Sequence, residues 1–343
     1  YFRMVFFICY NFLMSKIRKL YYFDKKNMQE MISFLNNRDA YINHVMFNPL
    51  IPLHHLLPLR FKFLPETYVL KDKKDIKGLI TVAPSKNPIK RLEIQRLFFE
   101  DNCYNDAYEL IQFAVSKYKA KGAISFIVRI DDNLPELLRV FVAKCGFSKI
   151  SFEKLWKIPN TIECEYNKKE FRAFRNSDAQ TVSALFNESL LPHFRPLLSS
   201  DTKDFKDVIF KGLSYFTEYK FVMEDKKTKN ISAYISIKTS DNKNYILDIV
   251  QSSWVEPNFD SIIGFAYEQI RKRQQNFNMF LKTKKYTQTG EKYEQILMEH
   301  KLECVQTQVV LTNTSARIIK DKVTSKRFIM LNQFLDGGVN VAG

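Results

Sequence analysis

The stretch from Arg91 to Tyr108, RLEIQRLFFEDNCYNDAY, holds the residues best suited to chemistry. Arg91 to Phe99 (RLEIQRLFF) reads as a strand. The polar residues Glu100 to Asp106 follow, and then Ala107, Leu110, Ile111, Ala114, Val115 and Tyr118 recur at the spacing of one helix face. Asn105 or Asp106 suits the N-cap. Unpaired backbone N–H groups at such a helix start, together with the helix dipole, bind a diphosphate without basic side chains. Cys103 falls where a thiolate would be favoured, and a merely packed thiol is the equal alternative.

Other reactive residue types give less. His54 and His55 are adjacent, with no Cys or carboxylate at ligand spacing, so no metal is expected. The five cysteines (Cys9, Cys103, Cys145, Cys164, Cys304) form no CxxC pair. Their odd number and wide spacing exclude a disulfide framework and fit a reducing, cytoplasmic setting. His193 reads as a loop residue, and Glu66 either faces a cleft or is a solvated charge at a strand start.

The elements that must position these residues form a repeated order. The chain opens with a strand (Ile17 to Phe23) and a helix carrying Met28, Met31, Ile32 and Leu35, followed by a Pro-rich connection from Asn48 to Pro65. Strands Thr67 to Lys71 and Lys77 to Ala83 read as a hairpin, with Gly78 compatible with a bend. After the strand and helix of the first paragraph, Gly122 closes the helix and Ala123 to Ile130 reads as a strand buried on both faces. A helix with Leu137, Leu138, Phe141, Val142 and Cys145, then a strand from Lys149 to Ile158, complete the half.

The second half repeats that order. It has a strand (Glu170 to Arg175), a helix with Val182, Leu185 and Phe186, and a second helix expected over Asp204 to Phe216. Strands follow at Lys220 to Glu224, Ile231 to Thr239 and Tyr245 to Ser252. A helix with Ile262, Ile263, Ala266, Tyr267 and Ile270, a strand at Met279 to Thr283, a helix at Lys292 to Lys301 and a strand at Cys304 to Leu311 close the series.

At 343 residues the chain suits two domains, expected at 15–160 and 168–315, with a tail at 316–343. Residues 1–14 are expected to be a start-site artefact or extension, with translation beginning at Met4 or Met14. The apolar run Met4 to Met14 is too short to span a bilayer, so stable membrane insertion is not expected. A hydrophobic fraction of 45% is ample for packed interiors and excludes disorder. The net charge of +16 is scattered and attracts polyanions in general. Its best basic stretches, Lys117 to Lys121 and Arg271 to Lys285, belong to no recognition module, so nucleic acid is not the expected partner.

Both halves read β-α-α-β-β-β-α-β-α-β, and this order, with Cys145, Gly146 and Phe147 closing the last helix of the first half, resembles the GNAT N-acetyltransferase superfamily. The resemblance covers most of residues 15–315. It implies an α/β (α+β, mixed-sheet) fold of two tandem GNAT-like domains, each a mostly antiparallel sheet flanked by helices. Leu97 to Leu110 looks like the family's central strand, pyrophosphate loop and following helix, which hold acetyl-CoA. By this resemblance Arg96, Leu97, Phe98, Phe99, Asn102, Cys103, Tyr104, Asn105, Asp106, Ala107 and Tyr108 are the cofactor-binding candidates.

Glu93 is the nearest counterpart of the family's strand glutamate, which takes a proton from the substrate amine through water; a solvated strand charge is the alternative. The chain departs from the pattern in two places. No glycine occurs in Asn102 to Ala107, and Val142 stands where the family often has the Tyr that protonates the leaving thiolate. In the second half Val255, Glu256 and Pro257 resemble the family's V-x-P, but Asn258 to Ile262 again lacks glycines. A structural or substrate-shaping role is therefore expected there, with Trp254 and Tyr267 as core or inter-domain packing. The implied function is acyl-CoA-dependent N-acetylation of an unidentified amine by direct attack on the thioester. The alternative is a catalytically degenerate tandem protein used for binding or structure.

Overall fold

A computed structural model describes residues 17–21, 24–32, 65–72, 75–84, 91–159, 166–207, 216–225, 230–252 and 254–314. The expected features at 1–14, 48–64 and 316–343, His54 and His55 among them, lie outside the described residues.

Among the described residues twelve strands form one sheet. In the first half they are β1 (Ile17–Lys19), β2 (Glu66–Asp72), β3 (Asp75–Pro84), β4 (Arg91–Phe99), β5 (Ser125–Asp131) and β6 (Ser148–Ile158). In the second they are β7 (Phe171–Ala173), β8 (Thr217–Glu224), β9 (Ile231–Thr239), β10 (Asn244–Gln251), β11 (Asn278–Lys284) and β12 (Cys304–Thr314). Their order in the sheet is β1-β2-β3-β4-β5-β12-β6-β11-β10-β9-β8-β7. Only β4 with β5 and β10 with β11 run parallel, so the sheet is mostly antiparallel.

The centre of that order is an exchange. β12, from the end of the second half, lies between β5 and β6, pairing Asp131 with Gln308 and Ser125 with Thr314 on one side. β6, from the end of the first half, pairs in turn with β11, from Lys284 opposite Glu153 to Met279 opposite Ile158. Each half thus completes its sheet with the other half's last strand.

Side chains alternate across a strand, so successive residues feed different helical layers. On one face Tyr68, Leu70, Ile80, Val128 and Leu311 pack beneath α2 (Tyr104–Ala120) and α3 (Pro135–Arg139). On the other, Val69 and Leu79 pack with Met28 of α1 (Lys25–Met31). The second half follows suit. Ile235, Leu247 and Leu281 pack beneath α7 (Phe259–Arg271) and α8 (Gln288–Glu299). Val222, Tyr234 and Val250 pack with Val182 and Phe186 of α4 (Ala179–Ser189) and with Leu198 and Phe205 of the short α5 (Arg195–Leu198) and α6 (Thr202–Phe205). Ile127 of β5 and Val310 of β12 join this last cluster, so α4 and the chain after it reach over the exchanged strands. Arg91 of β4 donates from Nη1 to the Ser199 carbonyl at 2.7 Å, a further tie between the halves.

Several expectations change in detail. The first strand is only Ile17–Lys19, and the strand near Glu170 only Phe171–Ala173. Where a helix is expected over Asp204 to Phe216, the described residues show a turn, Thr202–Phe205, capped by Asp201, whose carboxylate accepts from Thr202 N–H at 2.7 Å. Residues 208–215 lie outside the described part. The last helix begins four residues early, at Gln288, because Thr287 caps it by accepting from Gly290 N–H at 3.1 Å. Gly78 is needed where β3 passes under α2: a Cβ there would stand 2.8 Å from Leu110 Cδ1 and 3.0 Å from the Phe98 carbonyl oxygen. Gly146 ends the turn after α3 at a φ of 69°, a conformation that favours glycine.

Candidate functional site

The site is built where a parallel pair comes apart. Pairing of β4 with β5 runs from Arg91 opposite Ser125 to Ile94 opposite Val128 and stops. Both strands continue, β4 through Phe99 and β5 through Asp131, but β4 then pairs only with β3. A register shift falls at the same point, because Val82 faces Ile94 and Thr81 faces Arg96, leaving Gln95 as the extra residue of a bulge. Past this parting lie Arg96, Leu97, Phe98 and Phe99. Leu97 packs against the α2 core, and Phe98 packs on the α1 side.

The turn after β4 delivers the chain to α2. Asn102 adopts a φ of 62°, and the Cys103 N–H bonds the Glu100 carbonyl at 3.0 Å. The cap position is Cys103 and the helix begins at Tyr104, so the expectation of Asn105 or Asp106 as cap is corrected: both lie inside the first turn. No side chain caps this end. Among the described residues the N–H groups of Tyr104 and Asn105 meet no acceptor. Tyr104 folds down onto Phe99, with ring centroids 5.6 Å apart, and packs against the core rather than standing across the helix end. Ala107 is buried, Asn105 and Tyr108 are exposed, and Asp106 is half-buried without a capping bond. Val142, partly buried, packs on the same core.

Glu93 lies just before the parting, on the face opposite α2, and is 44% exposed. It is not simply solvated, since Arg129 Nη1 of β5 donates to it. Arg129 also donates from Nε to Glu153 Oε1 of β6 at 2.8 Å. Glu153 is 2% exposed, and it accepts further from the Tyr286 hydroxyl at 2.6 Å and pairs with Lys282 of β11. Burial pushes the Glu153 carboxyl up, but Arg129, Lys282 and Lys284 outweigh it and hold it well below the usual range. Burial, with Arg129 and Lys284 close by, depresses Lys282 despite the Glu153 charge. The strip continues to Lys284 and Asp248 of β10, 2.6 Å apart. It ends at Glu218, which accepts from Ser236 Oγ at 2.6 Å. A row of alternating charge therefore crosses the sheet from β4 to β8. On β5, two residues beyond Arg129, Asp131 lines a groove of about 550 Å³ shared with Leu155, Phe280 and Val305.

The sequence did not single out Arg129, Glu153, Asp248 or Tyr286. Asp248 is the second half's analogue of Glu93: each carboxylate sits on the first strand of its half's parallel pair and meets a cation on the second. Burial raises the Asp248 carboxyl, and Lys284, Lys282 and Lys238 outweigh that and lower it.

The second half's parting is closed. Pairing of β10 with β11 ends at Asp248 opposite Lys282. Beyond it Gln251 Oε1 accepts from the Tyr293 hydroxyl of α8 at 2.6 Å, while Gln251 Nε2 donates to the Glu256 carbonyl at 2.8 Å. Trp254 corrects an expectation, because it is 87% exposed and packs in no core; Tyr267 does pack, with its ring centroid 5.2 Å from that of Phe277. Glu66 is partly exposed and held by side-chain partners. It accepts from the Tyr68 hydroxyl and, at 2.5 Å, from the Tyr118 hydroxyl, and it pairs with Lys19. Burial raises its carboxyl, and these partners outweigh burial to bring it to about 2. His193 lies in the turn Pro192–Phe194. Among the described residues no group of three or more His, Cys, Asp or Glu comes together to hold a metal, and no helix is long and apolar enough to cross a membrane.

The strand order, the two parallel pairs and the helical layers are those of a tandem GNAT fold, and solved structures agree. A tandem GNAT protein from the clavulanic acid biosynthesis pathway superposes with a TM-score of 0.58 over 88% of this chain and 98% of its own, at 10% identity. A GCN5-related N-acetyltransferase from Sphaerobacter thermophilus gives 0.55 over 87% and 95%, at 11% identity. An acetyltransferase described as putative, from Pyrococcus horikoshii, gives 0.52 over 88% and 89%, at 10% identity. No family model matches the sequence. No curated protein matches it either. The chain thus has the tandem GNAT fold, and at these identities the likeness carries the fold alone.

Proposed function

We propose that the chain is an acyl-CoA-dependent N-acetyltransferase acting on an amine, with its working site in the first half and domains near 15–160 and 168–315. One observation carries the reading: β4 and β5 part after Ile94 and Val128, next to a helix start whose first N–H groups meet no acceptor among the described residues. Main chain from Arg96 to Phe99, beyond the end of pairing with β5, suits the amide arm of acetyl-CoA. The turn and first helical residues, Asn102, Cys103, Tyr104, Asn105, Asp106, Ala107 and Tyr108, suit its diphosphate. Acetyl-CoA supplies an activated acyl group, and the acceptor amine attacks its thioester directly to give an amide and free thiol.

Glu93 takes the proton from the attacking amine, through water, on the open face opposite α2. Arg129 keeps that carboxylate turned along the sheet. The groove beside Asp131 gives the acceptor an approach on the same face. The cytosol, where acyl-CoA is available, is a compartment that fits this reading.

A second reading, a tandem protein that binds without turnover, draws on Asp106: its carboxylate stands in the first turn without serving as cap, where it repels a diphosphate. Calorimetry with CoA and acetyl-CoA, then thiol release with a panel of primary amines, separates the two. Binding with turnover supports the transferase; binding without turnover, or no binding at millimolar concentration, supports the second reading.

A further inference from the structure

We propose that the second half acts on the first half's chemistry through the exchanged strand β6, with Tyr286 and Glu153 as positioning residues that set Arg129, and through it Glu93. This rests on the transferase reading for the role of Glu93. The contacts themselves do not.

The argument begins with the economy of a buried carboxylate. Glu153 is almost completely enclosed, so its charge persists only because partners surround it. Those partners are four groups from three places: Arg129 on β5, Lys282 and Lys284 on β11, and the Tyr286 hydroxyl from the loop after β11. One oxygen, Oε1, receives both the Tyr286 hydroxyl at 2.6 Å and Arg129 Nε at 2.8 Å. The hydroxyl therefore fixes the position of the oxygen that Arg129 follows. A guanidinium is a rigid fork, so orienting Nε orients Nη1 as well. Nη1 is the group that holds Glu93. The chain Tyr286, Glu153, Arg129, Glu93 runs from the second half to the edge of the β4–β5 parting without a gap.

Packing supplies the rigidity. Tyr286 is 3% exposed, its ring lies 6.2 Å from that of Phe194, and its carbonyl accepts from Leu191 N–H at 3.1 Å. Phe194, Val310 and Ile127 belong to the same cluster, which spans the exchanged strands. A merely structural ion pair would not need its carboxylate on a strand lent by one half and its fixing hydroxyl on the other. Displacing a reacting group by an ångström costs about 100-fold in rate, so a fixed carboxylate matters more to turnover than to folding.

The test uses the full chain and two variants, Tyr286→Phe and Arg129→Lys. Tyr286→Phe keeps the ring and removes only the hydroxyl. The expected result is a loss in kcat/KM of about 10- to 100-fold, with CoA affinity unchanged and the acid limb of the pH–rate profile displaced. Arg129→Lys, which retains charge but not the fork, should lose turnover as well. In 15N spectra the Arg129 Nε–H should be slowly exchanging in the wild type and lose that protection in Tyr286→Phe. A Tyr286→Phe protein with unaltered Arg129 protection overturns the proposal, as does one with unaltered kcat/KM and pH profile. If the wild type turns over no amine, the transferase reading fails by itself, and the Arg129 signal still decides whether the second half holds the first half's site.

Discussion

At the end of β10, Gln251 and Tyr293 bridge what β4 and β5 leave apart in the first half. The two halves otherwise share their element order, their parallel pair, and a helix start that no side chain caps. Usable space between parting strands is thus decided by the side chains that lean across it and not by the fold. In the first half Tyr104 packs inward against Phe99 and leaves the helix end clear; in the second a buried polar pair spans the opening. A duplicated scaffold can in this way keep one site and turn the other into support.

The sharpest test of that asymmetry compares the two carboxylates. Glu93→Gln should lower kcat/KM by about 100-fold or more without altering CoA affinity, as expected for loss of a general base. Asp248→Asn should leave the steady-state kinetics nearly unchanged, and an equal loss in both would break the comparison. Next in size is a stability effect. At Gly290 a Cβ would stand 2.1 Å from the Lys284 carbonyl oxygen and 2.7 Å from Thr287 Oγ1, both fixed by the cap of α8. Gly290→Ala should therefore cost about 3 kcal/mol in chemical denaturation. Gly78→Ala, where the Leu110 side chain can give way, should cost about 1 kcal/mol.

The helix ends come third. Proline is tolerated within the first turn of a helix, where it deletes an N–H that no helix carbonyl accepts. Asn105→Pro should weaken CoA binding by about tenfold in calorimetry, the worth of one charge-assisted hydrogen bond. Asp260→Pro, at the matching position of α7, should not change it.

The smallest effect is electrostatic. The Glu66 carboxyl is brought from 4.5 to about 2 in the folded chain, so it binds its proton less readily than in the unfolded one. Its contribution is complete above the unfolded value and fades as pH falls towards the folded one. After allowance for partial exposure, Glu66→Gln should cost about 1–2 kcal/mol near neutrality. The gap between variant and wild-type denaturation curves should narrow below about pH 5 and close near pH 2.

Much of this was legible in the sequence. The helical spacing of Ala107 to Tyr118 and the apolar run of Ala123 to Ile130 pointed to a helix and a strand because each buries a local pattern that no distant residue has to supply. The doubled order implied the fold for the same reason. The exchange of β6 and β12 was not legible, because strand partners are chosen by long-range register and both strands carry ordinary alternation. Charge misled most. Lys282 and Lys284 sit in a basic stretch that reads only as a scattered attraction for polyanions, yet they pair with Glu153, far away in the chain, and with Asp248, and Tyr286 reaches Glu153 across 133 residues. The α2 cap failed for a different reason: a turn through Asn102 in the left-handed region starts the helix at Tyr104, ahead of both residues with capping propensity.

The exchanged strands also set an order of events at the ribosome. β5 has its second neighbour only once residues 304–314 have emerged, since Thr312 bonds Phe126 across 186 positions. Until then the growing polypeptide presents two bare edges at the centre of its future sheet, each an invitation to a stray strand. Synthesis of this chain therefore depends on keeping those edges shielded until translation has almost passed the second half, and separating the halves with a protease would leave each with an open seam.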